Sequence, residues 1–265
     1  MISLNECITD YSNIYLVKDN DHNRKPIFRW KTKEQDKIYI KNFNFNEFIG
    51  DTLCLKRNID SAHYFLVAIS PRDNGHHTTY SRIRDKYYPI KIGSHDFKRK
   101  DMEYKEIDDF NIKGPHTVDS ILERTNSLRN KEELKQQLLE LLALDTYMGQ
   151  KDRFNTNILF EQDNQGNIKL SPLYDFSFSL KTEYSNLNDI YDNEIEPLQS
   201  IEDYHSFIKK YPEFRDILKE YMNIDLIEII YNTINKNNFS VDSRLLEPYE
   251  YTHNSRMKVL EKIVR

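Results

Sequence analysis

Cysteine is nearly absent from these 265 residues: Cys7 and Cys54 are the only two, which excludes a disulfide framework and a cysteine-rich zinc site by count. Long apolar runs are missing as well. No stretch approaches the roughly 18–20 apolar residues of a membrane span, and the opening MISLNECITDYSN has neither a basic start nor an apolar core. The sequence therefore predicts a cytoplasmic protein without a membrane span. Positive charge is outweighed, with 38 Lys and Arg against 43 Asp and Glu giving a formal −5, so no overall electrostatic pull toward nucleic acid or anionic membrane is expected. Glycine is scarce at six residues. What the chain does have is aromatic surface. Its 18 Tyr and 14 Phe supply the large apolar faces that a disordered polar chain lacks, and the length suffices for one large domain or two lobes. Trp30 and the tyrosines read as core and lobe-interface packing rather than a platform for stacked bases.

Along the chain the pattern changes once. The first 95 or so residues alternate short apolar or β-branched segments with charged turns: IYLV at 14–17, PIFRW at 26–30, KIYIK at 37–41, HYFLVAI at 63–69 and YYPIKI at 87–92. One helix interrupts them, 46–57, where Phe45, Ile49 and Leu53 recur on one face and Asn46 is placed to cap. The polar stretch 71–86 reads as a hairpin or loop. After 93–97 helices dominate. In KEELKQQLLELLALDTYM at 131–148, Leu134, Leu138, Leu141, Leu142 and Asp145 keep helical spacing, and Gly149 stands where the helix stops. A hairpin follows, with ILF at 158–160, a turn at 163–167 and IKL at 168–170. Helices are predicted at 201–211, 213–222, 225–236 and 253–264. The predicted fold class is α+β, with a small β-rich lobe over 1–94 and a larger, mainly helical lobe over 95–265.

Residues at both ends of that hairpin carry a chemical pattern. Phosphoryl transfer needs a carboxylate near the attacking hydroxyl, metal ions on the phosphates and a cation on the nucleotide. Asp152 precedes Asn157 by the same interval that separates the catalytic-loop Asp from the metal-binding Asn in the protein-kinase pattern H-R-D-L-x-x-x-N. Beyond the hairpin, Asp175-Phe176-Ser177 occupies the place of D-F-G. Asn157 and Asp175 offer two hard oxygen ligands of the kind Mg²⁺ accepts while it keeps water and phosphate for its other positions. Each residue alone is an ordinary turn residue; the ordered set, with a long helix before it and a hairpin inside it, is what points to a metal–nucleotide site.

The segment G-x-x-D-R-x-x-x-N-I-L-F, followed by L-S-P-L-Y-D, resembles the catalytic and metal-binding segments of the HipA-like serine/threonine kinases. Gly149, Asp152, Arg153, Asn157, Pro172, Tyr174 and Asp175 carry the resemblance. It implies a bilobal protein-kinase-like fold with ATP and Mg²⁺ as cofactors, Asp152 as catalytic base, and Asn157 and Asp175 as metal ligands. Phosphoinositide kinases have a similar D-R-x-x-x-N segment. Upstream, Lys41 at a strand end resembles the nucleotide-binding lysine, with Lys18 as its competitor, and Glu47 opens the next helix where its ion-pair partner would sit. Asp96 and Phe97, after strand 87–92, resemble the inter-lobe hinge whose backbone takes adenine. The partner implied is a protein with a Ser or Thr acceptor, and autophosphorylation follows as a corollary. A toxin-like or effector-like role, an antitoxin or regulator partner and secretion as an effector stay open. So do a nucleotide-binding pseudokinase and a kinase of a lipid or small-molecule hydroxyl.

Three departures stand beside these matches. No glycine lies in 18–36, so no glycine-rich phosphate-covering loop precedes Lys41; Phe154 stands where the family commonly has His; and the family's larger N-terminal extension has no room. His76 and His77 beside Asp73 lack a third-ligand pattern and read as a surface loop. The cation runs Arg82, Arg84, Lys86 and Lys98, Arg99, Lys100 read as solvated.

Overall fold

The computed structural model describes residues 15–17, 28–31, 37–42, 44–68, 80–83, 86–99, 101–110, 117–124, 130–150, 153, 157–176, 179–180, 201–236, 239–240 and 246–265; those before 44 and those of 65–91, 95, 236 and 239–240 are described by backbone alone. The β-rich part consists of β1 (Tyr15–Val17), β2 (Phe28–Lys31), β3 (Lys37–Asn42), β4 (Phe65–Ala68), β5 (Tyr80–Ile83) and β6 (Lys86–His95), with helix α1 (Phe45–Arg57) between β3 and β4. The strands pair antiparallel in the order β1-β2-β3-β6-β5, and β4 also pairs with β6. β6 is thus the hub, and it puts Lys41 opposite Ile92 and Tyr39 opposite Ser94.

Helix α1 begins one step earlier than the sequence suggests. Asn44, not Asn46, is the cap, and its side chain accepts from the Asn46 N–H at 2.9 Å. Glu47 lies in the first turn and Lys56 and Arg57 in the last, matching the helix dipole. Asn58 closes the helix in the left-handed region at φ 57°. The predicted face of Phe45, Ile49 and Leu53 is buried.

In the helical part, α2 (Val118–Arg124) precedes α3 (Lys131–Met148), and α4 (Ile201–Lys210), α5 (Pro212–Met222), α6 (Leu226–Lys236) and α7 (Glu247–Ile263) follow. The sequence reading does not contain α2. Its start is set by a reciprocal pair in which Thr117 Oγ1 accepts from Ser120 N–H at 3.1 Å and Ser120 Oγ from Thr117 N–H at 2.9 Å. Helix α7 starts six residues before His253, with Pro248 in the first turn, where its missing N–H costs nothing. Helix α3 is buried on all sides over its second half, packed against α2, α5 and a small second sheet.

That sheet runs β7 (Glu103–Glu106), β8 (Leu159–Gln162), β9 (Ile168–Leu170). The predicted hairpin turn forms around Asp163, whose Oδ1 accepts the N–H groups of Gln165 and Asn167 at 2.8 and 2.9 Å. β9's outer edge is closed by α3: Gln137 Oε1 accepts from Leu170 N–H at 2.8 Å, and the Asn130 amide donates to Ile168 O at 2.6 Å. Strand β7 and the two-residue β10 (Phe239–Ser240), which adds to β5, are further elements that the sequence reading lacks. A bridge between Ser61 and Leu173 ties the exit of α1 to the chain leading into Asp175. One contiguous apolar cluster runs from Phe45 on α1 through α3 to Ile263 on α7.

Candidate active site

Helix α3 ends at Gly149, whose φ of 59° is the left-handed cap that glycine accepts without strain. Four residues further on is Arg153, the largest fully buried side chain among the described residues. A guanidinium in such a place needs a counter-charge and filled donors. Asp145, one turn before the end of α3, supplies the charge in a two-pronged pair: Arg153 Nε donates to Asp145 Oδ2 and Nη2 to Oδ1, both at 3.0 Å, with side-chain exposures of 0% and 1%. Burial alone would lower the guanidinium's pKa; the Asp145 carboxylate reverses that and holds it above its ordinary value. For Asp145, burial pushes the pKa up and Arg153 opposes the rise.

The remaining nitrogen of Arg153 does the positioning. Its Nη1 donates to the carbonyl of Tyr174 at 2.7 Å and to that of Asn157 at 3.3 Å. One buried cation therefore holds the backbone on both sides of the β8–β9 hairpin, at Asn157 and immediately before Asp175. The guanidinium also lies 5.3 Å from the centroid of the Phe176 ring.

Asp175 is in the left-handed region at φ 58°, a conformation uncommon for residues other than glycine and enriched for Asp and Asn. Its backbone is pinned at both ends, since Asp175 N–H donates to Tyr64 Oη at 3.1 Å and Gln150 Nε2 donates to Asp175 O at 2.7 Å. Strained backbone held from two sides is a frequent mark of a functional position. The next residue is locked onto α1. Glu47 Oε2, fully buried, accepts from Phe176 N–H at 3.0 Å, and the Phe176 ring covers Gly50 so closely that a Cβ there would stand 2.3 Å from its Cγ. Asn46 donates to Ser179 O. The Tyr64 hydroxyl is raised well above its usual pKa, first by burial and then by the charge of Glu47, to which it is also hydrogen-bonded.

At the exit of β6 the backbone passes through Asp96 and Phe97. Asp96 Oδ1 accepts from Lys98 N–H at 3.1 Å, and the Phe97 ring packs on Tyr174 with centroids 5.6 Å apart. Arg99, from a run read as solvated, is in fact engaged. Its Nη2 donates to the buried Glu161 of β8 at 2.6 Å, and its N–H to Tyr104 Oη at 2.8 Å. This fixes the chain between the two sheets.

The residues singled out from sequence are placed as follows. Arg153 holds the backbone of Asn157 and of Tyr174, the residue before Asp175; Glu47 is bonded to the N–H of Phe176, the residue after it, and to Tyr64; the Phe97 ring packs on Tyr174, while Asp96 bonds Lys98 N–H. Lys41 lies in β3 beside β6, known by its backbone only. Asp152, Phe154, Lys18, Asp73, His76, His77, Arg84 and Lys100 lie outside the described residues. Sequence reasoning gave no role to Asp145, Tyr64 or Gln150. Asp145 alone left a signal, as a carboxylate on an otherwise leucine-lined helix face.

One carboxylate and one amide suit a hard divalent cation whose other positions are filled by phosphate oxygens and water. No group of three or more His, Cys, Asp and Glu side chains that could hold a metal occurs among the described residues, so any such ion here rests on that shared arrangement. A cavity of about 430 Å³ between the end of α1, α3 and β9 is lined by none of the candidate residues.

No protein-family model matches the sequence, and no curated protein matches it significantly. Solved structures do. The fold is similar to the crystal structure of the Helicobacter pylori proinflammatory kinase CtkA, with a TM-score of 0.60 at 12% identity, covering 94% of this chain and 95% of that one. It is also similar to a chain of the Shewanella oneidensis MR-1 toxin–antitoxin complex of HipA, HipB and operator DNA, with a TM-score of 0.55 at 13% identity, covering 94% of this chain and 62% of that one. At such identities the likeness establishes fold: a bilobal kinase-like α+β architecture with a small β-rich part and a larger, mainly helical part. No helix among the described residues is long and apolar enough to cross a membrane.

Proposed function

We propose that this chain is an ATP- and Mg²⁺-dependent serine/threonine protein kinase of HipA-like type that also phosphorylates itself. The observation that carries the reading is the buried Arg153, which ties the carbonyls of Asn157 and Tyr174 to one guanidinium nitrogen and so couples the two candidate metal ligands. ATP would supply the transferable phosphoryl group, and Mg²⁺ would neutralise its charge. In this reading Asn157 and Asp175 present their side-chain oxygens to the ion. Asp152 orients the acceptor hydroxyl and takes its proton as the new O–P bond forms and ADP leaves. Lys41 binds the α- and β-phosphates with Glu47 as its partner, and the backbone at Asp96 and Phe97 takes adenine. The lobes divide at 94/95. The fold likeness to a kinase named proinflammatory and to a toxin–antitoxin complex fits a toxin-like or effector-like setting with a regulator partner.

Phosphoproteomics of cells expressing wild type against Asp152→Ala tests this and names the substrate together. Ser or Thr sites gained only with wild type support the reading, and identical phosphoproteomes contradict it. A second reading rests on one observation: the first glycine of the chain is Gly50, so nothing resembling a glycine-rich loop precedes Lys41. A nucleotide-binding pseudokinase would show thermal stabilisation by ATP and Mg²⁺ with no turnover on a broad substrate panel.

A further inference from the structure

The last four carbonyls of a helix have no partner within it, and in α3 those four sit where the segment 149–157 begins. Each is accounted for. Asp145 O accepts the N–H groups of Gly149 and Gln150, the latter at 3.0 Å, and Met148 O accepts from Leu180 N–H at 2.8 Å. The two between them are held by a residue more than a hundred positions away: Arg256 Nε donates to Tyr147 O at 3.1 Å, and its Nη2 donates to Thr146 O. Arg256 is buried on α7, and its two hydrogen bonds go to backbone carbonyls rather than to a carboxylate. Its charge is set instead against the negative end of the α3 dipole, the place where a cation is favoured. Burial lowers its pKa to about 10, which leaves it protonated at neutral pH.

The fit is tight. A Cβ on Gly149 would stand 2.0 Å from Arg256 Nη1 and 2.5 Å from Cζ. Position 149 favours glycine for its positive φ, and a side chain there would have to displace the Arg256 guanidinium from the helix end. Helix α7 is in turn held from both sides. Tyr249 meets Phe45 of α1 edge-on at 6.2 Å, and His253 meets Tyr147 of α3 edge-on at 6.3 Å. Leu260 and Ile263 anchor its far end in the core.

We propose that Arg256 is a positioning residue for the loop that starts at Gly149, so that the C-terminal helix is part of the active-site scaffold through this one side chain. The proposal rests on reading 149–157 as the catalytic loop. Arg256 contacts the helix end that launches the loop, so its loss misplaces the base and the metal-binding amide while leaving nucleotide affinity little changed.

The test uses the full chain with Arg256→Met and Arg256→Lys, and reads both amide hydrogen exchange and the kinetics of ATP-dependent self-labelling. Arg256→Met is expected to speed exchange at the Gly149 and Gln150 amides by about tenfold or more, as loss of two charge-assisted hydrogen bonds implies, with α5 amides unchanged. The same variant lowers kcat by about tenfold or more while KM for ATP stays within about threefold, the signature of an interaction needed for the transition state alone. Arg256→Lys keeps the charge and restores part of both. Unchanged exchange at Gly149 and Gln150 overturns the proposal, as does a rise shared equally with α5, or a kcat per folded molecule equal to wild type. If Arg256→Met does not fold, Arg256→Lys decides, since partial local exchange at those two amides is expected and none refutes. A wild type that transfers no phosphate defeats the kinase reading alone, because the exchange measurement still decides what Arg256 holds.

Discussion

Removing either member of the Asp145–Arg153 pair strands the other in the protein interior. In Asp145→Leu the guanidinium keeps the carbonyls of Tyr174 and Asn157 but loses its counter-charge and both 3.0 Å bonds. In Arg153→Met the carboxylate is left buried at 1% exposure and the two carbonyls lose their donor. Breaking one side of such a buried pair costs about 3–5 kcal/mol, so each variant should lose about 6–20 °C in Tm for a chain of this size. The double variant replaces both charges with apolar groups and should be no worse than either single change. The pair then shows a coupling energy of at least about 3–5 kcal/mol in a double-mutant cycle, the size of one whole single loss. Urea unfolding of wild type, both single variants and the double variant, followed by circular dichroism, measures it. Additive losses, with coupling below about 0.5 kcal/mol, would refute the view that these two residues form one unit.

Three further outcomes follow from the same contacts. Gly50→Ala drives a methyl group into the Phe176 ring, which should cost about 1–3 kcal/mol by overpacking and lower phosphotransfer; an unchanged Tm would contradict the close approach of α1 to Phe176. Tyr64→Phe removes the hydroxyl that accepts from Asp175 N–H, so a loss of about 1–3 kcal/mol and a higher Mg²⁺ requirement in ATP titrations are expected. Asp51 gives a pH test. Burial raises its pKa, with the Ser61 hydroxyl and His63 opposing. The folded state then holds the proton more tightly than the unfolded one, so this contribution to stability is full below the unfolded carboxylate pKa and is lost as pH rises through the folded value. Asp51→Asn should therefore raise Tm at about pH 8 and give no gain at about pH 4; a gain that grows toward acid would reverse the assignment.

The parts of this fold legible in sequence are those written in local periodicity. Leu134, Leu138, Leu141 and Leu142 with Gly149 define α3 to the residue, and the turn chemistry of Asp163 and Gly166 defines the β8–β9 hairpin. Elements whose reason lies elsewhere in the chain were hidden. β10 is two residues long and exists because β5 offers an edge, and β7 exists because β8 does. Helix α2 is only seven residues long and is held by Thr117 and Ser120, a pair too common in loops to mark a helix start. The candidate site shows the same division. Asn157 and Asp175 stand out through spacing, whereas the residues that hold them do so through tertiary contacts. Glu47 at its helix start suggests a partner for a lysine, but its bond to the Phe176 backbone needs coordinates to be seen. Asp145 shows as a charge on an apolar stripe without naming Arg153. Arg256 leaves no local trace, because its ligands are carbonyls of a helix more than a hundred residues away.

If the segment 149–175 is a phosphoryl-transfer site, as proposed, the most direct measurement is incorporation of labelled phosphate from γ-labelled ATP and Mg²⁺ into the purified chain. Wild type should label itself on Ser or Thr, and Asp152→Ala and Asp175→Ala should each abolish the signal while retaining the wild-type circular dichroism spectrum. Labelling by both variants at the wild-type level would contradict the account.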